Sequence, residues 1–168
     1  MHARLTSLPS ELKQYLLITG NYWGFTLTDG ALRMLVVLYF HQLGYSPLAI
    51  ASLFLFYEMF GVVTNLFGGW LGARLGLNKT MNLGLVLQVF ALSMLTVPQG
   101  WLSVPLVMLA QALSGIAKDL NKMSAKSAIK LLVPKDAEST LFKWVAILTG
   151  SKNALKGIGF FLGGVLLS

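Results

Sequence analysis

Between residues 110 and 164 the chain is almost wholly apolar and small, yet Lys118, Lys122, Lys126 and Lys130 recur there at four-residue spacing. Beyond Pro134, Lys152 and Lys156 repeat the step. Residues i and i+4 lie one above the other on one face of a helix. Each such step drifts by about 40°, since a turn takes 3.6 residues, so the lysines form a slowly winding stripe. An ammonium group in hydrocarbon is costly, and intramembrane charges face a bundle interior or a wet cavity. The pattern therefore demands a helical bundle whose lysines line a path for an anion.

Composition sets the environment. Only 11% of the residues are charged and 55% are hydrophobic, with a mean hydropathy of +0.70. A soluble domain carries about 25% charged residues, so the chain reads as an integral membrane protein. The formal charge of +7 comes from thirteen Lys and Arg against six Asp and Glu. In a soluble protein that balance would suggest nucleic acid, but a base-stacking surface and a soluble fold are both missing. There is no cysteine, hence no disulfide, thiolate metal site or redox pair in this stretch. His2 and His41 are too few and too far apart to build a ligand cluster, so neither a metal nor a cofactor is expected. No convincing base–nucleophile pair offers itself, which argues against a membrane-embedded enzyme.

Five spans are expected, at residues 15–42, 47–71, 80–97, 102–133 and 139–168, after a polar cytoplasmic segment at 1–14. That segment lacks the short apolar core and small-residue cleavage site of a signal peptide. Ser46 before Pro47 reads as an N-cap followed by proline at the first helical position. The fourth span would measure roughly 45 Å, longer than a hydrocarbon core of about 30 Å, so its lysine-rich end should protrude into water. Arg4, Lys13, Arg74, Lys79 and Lys135 fall on one side, while the turns near Gly44 and Gly100 carry no base. The positive-inside bias then puts the N-terminus of a multi-pass chain in the cytoplasm.

Two glycine patterns carry a resemblance. The stretch after the second span contains Gly69, Arg74, Gly76 and Lys79 at the spacing of the cytoplasmic loop signature of the major facilitator superfamily, with Ala73 in place of its acid and Asn78 in place of a base. The fifth span contains Gly150, Gly159, Gly163 and Gly164, which resembles the glycine motif of facilitator exporters, Gly164 standing where those carry proline. Small residues at such spacing also serve generic close helix packing. Longer blocks narrow the likeness. The segment NYWGFTLTDGALRM at 21–34 resembles the first span of ArsJ-type organoarsenical-efflux permeases. The blocks at 54–80, 111–134 and 144–164 are similar to that family too.

The resemblance implies an all-α membrane protein with the major facilitator fold, here about five transmembrane helices of an incomplete N-terminal six-helix bundle. It implies a secondary transporter that exports 1-arseno-3-phosphoglycerate and gives arsenate resistance, with a functional link to glyceraldehyde-3-phosphate dehydrogenase, which makes that ester from arsenate. The family has about twelve spans in two halves, so the chain reads as a truncated front part whose partners include the remaining helices of a full permease and the lipid bilayer. An exporter of another phosphorylated or anionic metabolite, or a non-transporting remnant, are the alternatives.

The chemistry fits a small anionic substrate. Lysines supply point charges and donors for phosphoryl-type oxygens, whereas trivalent arsenic would call for soft thiolates. Lys118, Lys152 and Lys156 are expected deepest, lining the cavity or else partnering Asp29, Glu58 or Asp119. Lys122 and Lys126 are expected to form an electrostatic entrance nearer the cytoplasm. Asp29 and Arg33 are i, i+4 and either satisfy each other or act apart, Arg33 clamping an oxyanion and Asp29 orienting it or coupling a proton. Glu58 either carries the coupling proton or pairs with a facing lysine.

Overall fold

The computed structural model describes residues 9–134 and 136–167, so Arg4 and Lys135 of the loop bases lie outside it. Every regular element among the described residues is helical: α1 Ser10–Gln42, α2 Pro47–Leu53, α3 Leu55–Leu75, α4 Leu77–Met94, a 3-10 turn at Gln99–Trp101, α5 Val104–Leu132 and α6 Glu138–Leu167. The stretch Pro47–Leu75, α2 and α3 together, is long and apolar enough to cross a membrane, with a mean hydropathy of 1.7.

Local chemistry sets the joints. At the end of α1, Gly44 adopts φ +82°, the Gly44 N–H reaches the His41 carbonyl (2.9 Å) and the Tyr45 N–H reaches the Phe40 carbonyl (3.1 Å). These are the two bonds of a Schellman cap, and the Tyr45 ring packs edge-on against Phe40 at 5.0 Å, completing it. Ser46 then accepts from the Ala49 N–H and Pro47 opens α2. The expected second span is interrupted at Phe54, where α2 gives way to α3.

The expected loop after that span is a correction. Helix α3 continues to Leu75 and α4 begins at Leu77, which leaves Gly76, at φ +88°, as the whole connection. Gly69 and Arg74 are therefore helical residues. Nothing between residues 72 and 75 interrupts the backbone hydrogen bonding, and only a residue tolerant of positive φ can turn the chain in one step. Arg74 lies over the Trp70 ring at 4.9 Å, and Lys79 is exposed on the first turn of α4. Helix α1 begins at Ser10, inside the stretch expected to precede the first span.

Helix α5 is the hub. It packs on α3 and α4 and crosses α1, while α1 lies along α6. Its buried face carries Ala110, Ser114, Gly115, Ala117, Ser124 and Ala125, small residues that let neighbouring backbones approach. A Cβ on Gly115 would collide with the Tyr57 carbonyl oxygen of α3, and one on Gly84 of α4 would stand 3.0 Å from the Ala117 carbonyl oxygen. Asn121 is fully buried beside Gly84, against α4.

Two apolar clusters close the bundle. One gathers Tyr15, Met81, Ile129 and Leu148, with Trp144 packed on it, so the start of α1, the start of α4, the end of α5 and the first half of α6 share one end. The other gathers Leu32, Phe40, Leu53 and Val107 towards the opposite end. Asp29 and Arg33 lie on α1 at the level between them, and this is where the charged cavity opens.

Candidate functional site

Between the apolar clusters lies a cavity of about 120 Å³ that receives side chains from four helices. Helix α1 contributes Tyr22, Asp29 and Arg33, and α3 contributes Glu58. Helix α5 contributes Lys118 and Lys122, and α6 contributes Lys152 and Lys156. Five cationic groups thus face two acids, and Asp119 stands behind the wall at 2% side-chain exposure. That excess of positive charge in a recess attracts anions.

The acids are unevenly placed. Asp29 is 4% exposed and its Oδ1 accepts a 2.7 Å hydrogen bond from the Tyr57 hydroxyl. Asp119 accepts a 3.2 Å hydrogen bond from Lys122 Nζ, and its other oxygen is 4.0 Å from Lys118 Nζ. Gly61 makes room for that carboxylate, since a Cβ there would lie 2.6 Å from Asp119 Oδ2. Glu58 bridges two helices: its Oε1 is 2.8 Å from the Arg33 guanidinium and its Oε2 is 3.6 Å from Lys118 Nζ.

Arg33 and Asp29 therefore do not form the i, i+4 pair that their spacing allows. Arg33 turns to Glu58 on α3 and Asp29 to Tyr57 on the same helix, because α3 packs where both can be satisfied by a partner with better geometry. Of the expected readings for Glu58, the ion pair is the arrangement seen: it bridges Arg33 and Lys118. The Tyr57 ring organises both cations. Arg33 lies 4.3 Å and Lys118 4.1 Å from its centroid, distances at which a cation is attracted to the ring face. Sequence reasoning passed over Tyr57. The signal was present in the buried face of α3, Tyr57, Gly61, Gly68 and Gly72, where the tyrosine extends a stripe of small residues.

Lys152 and Lys156 differ from the other cations. Among the described residues neither forms an ion pair, and Lys156 lies only loosely over the Phe160 ring at 6.0 Å. They sit in the cavity because α6 lies along α1, where the Trp23 indole donates to Ser151 Oγ at 2.8 Å, one residue before Lys152. Lys126 is a correction to the expected stripe: it is exposed and does not line the cavity. Two four-residue steps beyond Lys118 turn the helix face by about 80°, enough to carry Lys126 off the cavity wall.

The glycines of α6 divide in the same way. A Cβ on Gly159 would stand 2.5 Å from the Leu27 carbonyl oxygen, and one on Gly163 2.5 Å from the Ala31 carbonyl oxygen. A Cβ on Gly164 would stand 4.0 Å from a Leu38 methyl, and one on Gly150 would meet nothing within 4 Å. Gly159 and Gly163 form the seam with α1, and Gly150 takes no part in it. A Cβ on Gly69 of the α3 motif would stand 3.8 Å from the Met123 methyl, whereas one on its neighbour Gly68 would stand 2.9 Å from the Met123 sulfur.

The arrangement is a recessed polar site between helices, rich in cations, with no group of His, Asp or Glu among the described residues that could hold a metal ion. A recess with such a cationic excess attracts anions. No curated protein and no solved structure matches the chain. The family model described as Major Facilitator Superfamily matches residues 16–168, and the chain accordingly belongs to that superfamily of membrane-embedded secondary transporters, which are carriers of small substrates and not enzymes.

Proposed function

We propose that the cavity is the anion site of an export permease of the ArsJ type, and that the cargo is 1-arseno-3-phosphoglycerate. The observation that carries this reading is the cationic excess of the cavity, above all Lys152 and Lys156, neither of which forms an ion pair with an acid among the described residues. A three-carbon acyl arsenate bearing a phosphate ester at its other end is a multiply charged anion whose oxygens suit lysine and arginine donors. With no cysteine in the sequence, recognition rests on charge and hydrogen bonds instead of arsenic–sulfur bonding.

In this reading Arg33, Lys118, Lys152 and Lys156 hold the cargo, and Lys122 forms the cytoplasmic approach. The bundle presents them by turns to the two sides of the membrane as helices rock about the midplane site. The protein sits in a bacterial inner membrane with the N-terminus in the cytoplasm, since Lys13, Arg74, Lys79 and Lys130 belong to helix ends on one side. Glyceraldehyde-3-phosphate dehydrogenase supplies the ester on that side.

The same cations favour a second reading, export of another phosphorylated metabolite, because lysines do not distinguish phosphorus from arsenic. One assay separates the two. Everted membrane vesicles carrying the protein are given glyceraldehyde 3-phosphate, NAD, arsenate and the dehydrogenase, and trapped arsenic is measured. Uptake that requires the dehydrogenase supports the organoarsenical. Uptake of phosphoglycerate alone, with no arsenic accumulated, would replace it with the second reading.

A further inference from the structure

Glu58 stands apart from the other acids of the cavity. Its side chain is 60% exposed, against 2% for Asp119. Asp29 and Asp119 are fixed in the protein by Tyr57 and Lys122. The two oxygens of the Glu58 carboxylate are splayed between a cation from α1 and a cation from α5, at 2.8 and 3.6 Å. Two oxygens of a phosphoryl or arsenoyl group would meet Arg33 and Lys118 in the same way.

The cations do not depend on Glu58 for their positions. Both are seated on the Tyr57 ring, which is itself fully buried and tied to Asp29. Removal of the carboxylate would leave the pair in place, Arg33 without an ion-pair partner among the described residues and Lys118 with only Asp119, at 4.0 Å. We propose that Glu58 is a tethered occupant of the anion site: it fills the Arg33–Lys118 half of the cavity until an incoming dianion displaces it, while Lys152 and Lys156 form an open half that receives the ligand first. The device makes the site selective by charge. A monoanion lacks the charge to drive Glu58 out, and a ligand with two anionic groups engages both halves. The inference rests on the cavity being the anion site proposed above.

The test measures binding of inorganic phosphate, with chloride as the monoanion, to the purified protein in lipid nanodiscs by titration calorimetry. A side chain tethered beside its partners competes at an effective concentration of about a millimolar or more, so Glu58→Gln should tighten phosphate binding by at least about tenfold and should let chloride bind. Glu58→Asp keeps the charge on a shorter arm and should fall between, and it reads the same effect if the glutamine variant does not fold. Lys152→Gln with Lys156→Gln should weaken phosphate binding in both the wild-type and the Glu58→Gln backgrounds. If that double substitution weakens binding but neither Glu58 variant tightens it, the tethered occupant is refuted and the anion site stands. If no form of the protein binds phosphate, both fall.

Discussion

Gly30 of α1 and Gly159 of α6 meet backbone to backbone: a Cβ on Gly30 would stand 3.2 Å from the Gly159 Cα and 2.9 Å from the Lys156 carbonyl oxygen. The contact fixes the height of Lys156 in the cavity, since the lysine belongs to the turn of α6 that presses on α1. Gly159→Val should force the two helices apart and lower stability by about 1–3 kcal/mol, the usual cost of overpacking a close interface. Anion binding should fall with it, because Lys152 and Lys156 move with α6. Gly150→Ala, where nothing lies within 4 Å, should leave stability unchanged or raise it by up to about 1 kcal/mol through helix propensity. Thermal unfolding in detergent compares the two, and equal effects from both substitutions would remove the seam from the account.

Lys152 and Lys156 bring positive charge to the cavity without forming an ion pair among the described residues. A unit charge about 4 Å from its partner contributes about 4 kcal/mol at an effective dielectric of about 20, before desolvation is subtracted. Lys152→Gln or Lys156→Gln should therefore lower transport kcat/KM by at least about tenfold, with the same amount of protein in the membrane. Lysine-to-arginine variants should recover part of the loss, because charge is kept while donor geometry changes. Vesicle uptake and membrane immunoblots measure the two quantities, and undiminished uptake by both glutamine variants would sink the assignment.

The helices and turns were legible in the sequence because they depend on local chemistry. Ser46-Pro47 and Gly44 announce their caps, and long apolar runs announce the helices. The partners were not legible, because they depend on which helix packs where. Spacing allowed Arg33 to pair with Asp29, but α3 supplies Glu58 and Tyr57 to separate them. Rotation along a helix accounts for two further differences. Lys126 drifts off the face that Lys118 occupies. Gly150 lies nine residues before Gly159, about two and a half turns, and so faces the opposite way. The glycine pattern at residues 69–79 resembled a loop signature, yet one glycine with positive φ makes the whole turn.

Tyr57 has two separable duties, the hydrogen bond to Asp29 and the ring face beneath Arg33 and Lys118. Tyr57→Phe removes only the first and leaves a buried carboxylate short of a donor, which costs about 1–3 kcal/mol. Its stability should drop while the KM for transport stays near the wild-type value. Tyr57→Leu also removes the ring, and each cation–π contact is worth about 0.5–2 kcal/mol, so its KM should rise severalfold. Thermal unfolding beside transport kinetics separates the duties. Identical KM values for the two variants would show that the ring does not hold the cations.

Gly61 and Asp119 are coupled by size. The carboxylate occupies the space that a side chain at Gly61 would need, since a Cβ there lies 2.6 Å from Asp119 Oδ2. The other oxygen of that buried carboxylate accepts from Lys122 at 3.2 Å, so the group cannot shift without weakening an ion pair. Gly61→Ala should destabilise the protein by about 1–3 kcal/mol, an overpacking cost. Asp119→Ala should cost about 1–3 kcal/mol, because it removes the hydrogen-bonded partner of Lys122, a lysine that solvent partly screens. Once the carboxylate is gone, the added methyl meets open space, so Gly61→Ala should cost markedly less in the Asp119→Ala background than alone. A double-mutant cycle on unfolding free energy measures this coupling. Strict additivity would mean that Asp119 does not point at Gly61, and the wall behind Lys118 and Lys122 would then need a different arrangement.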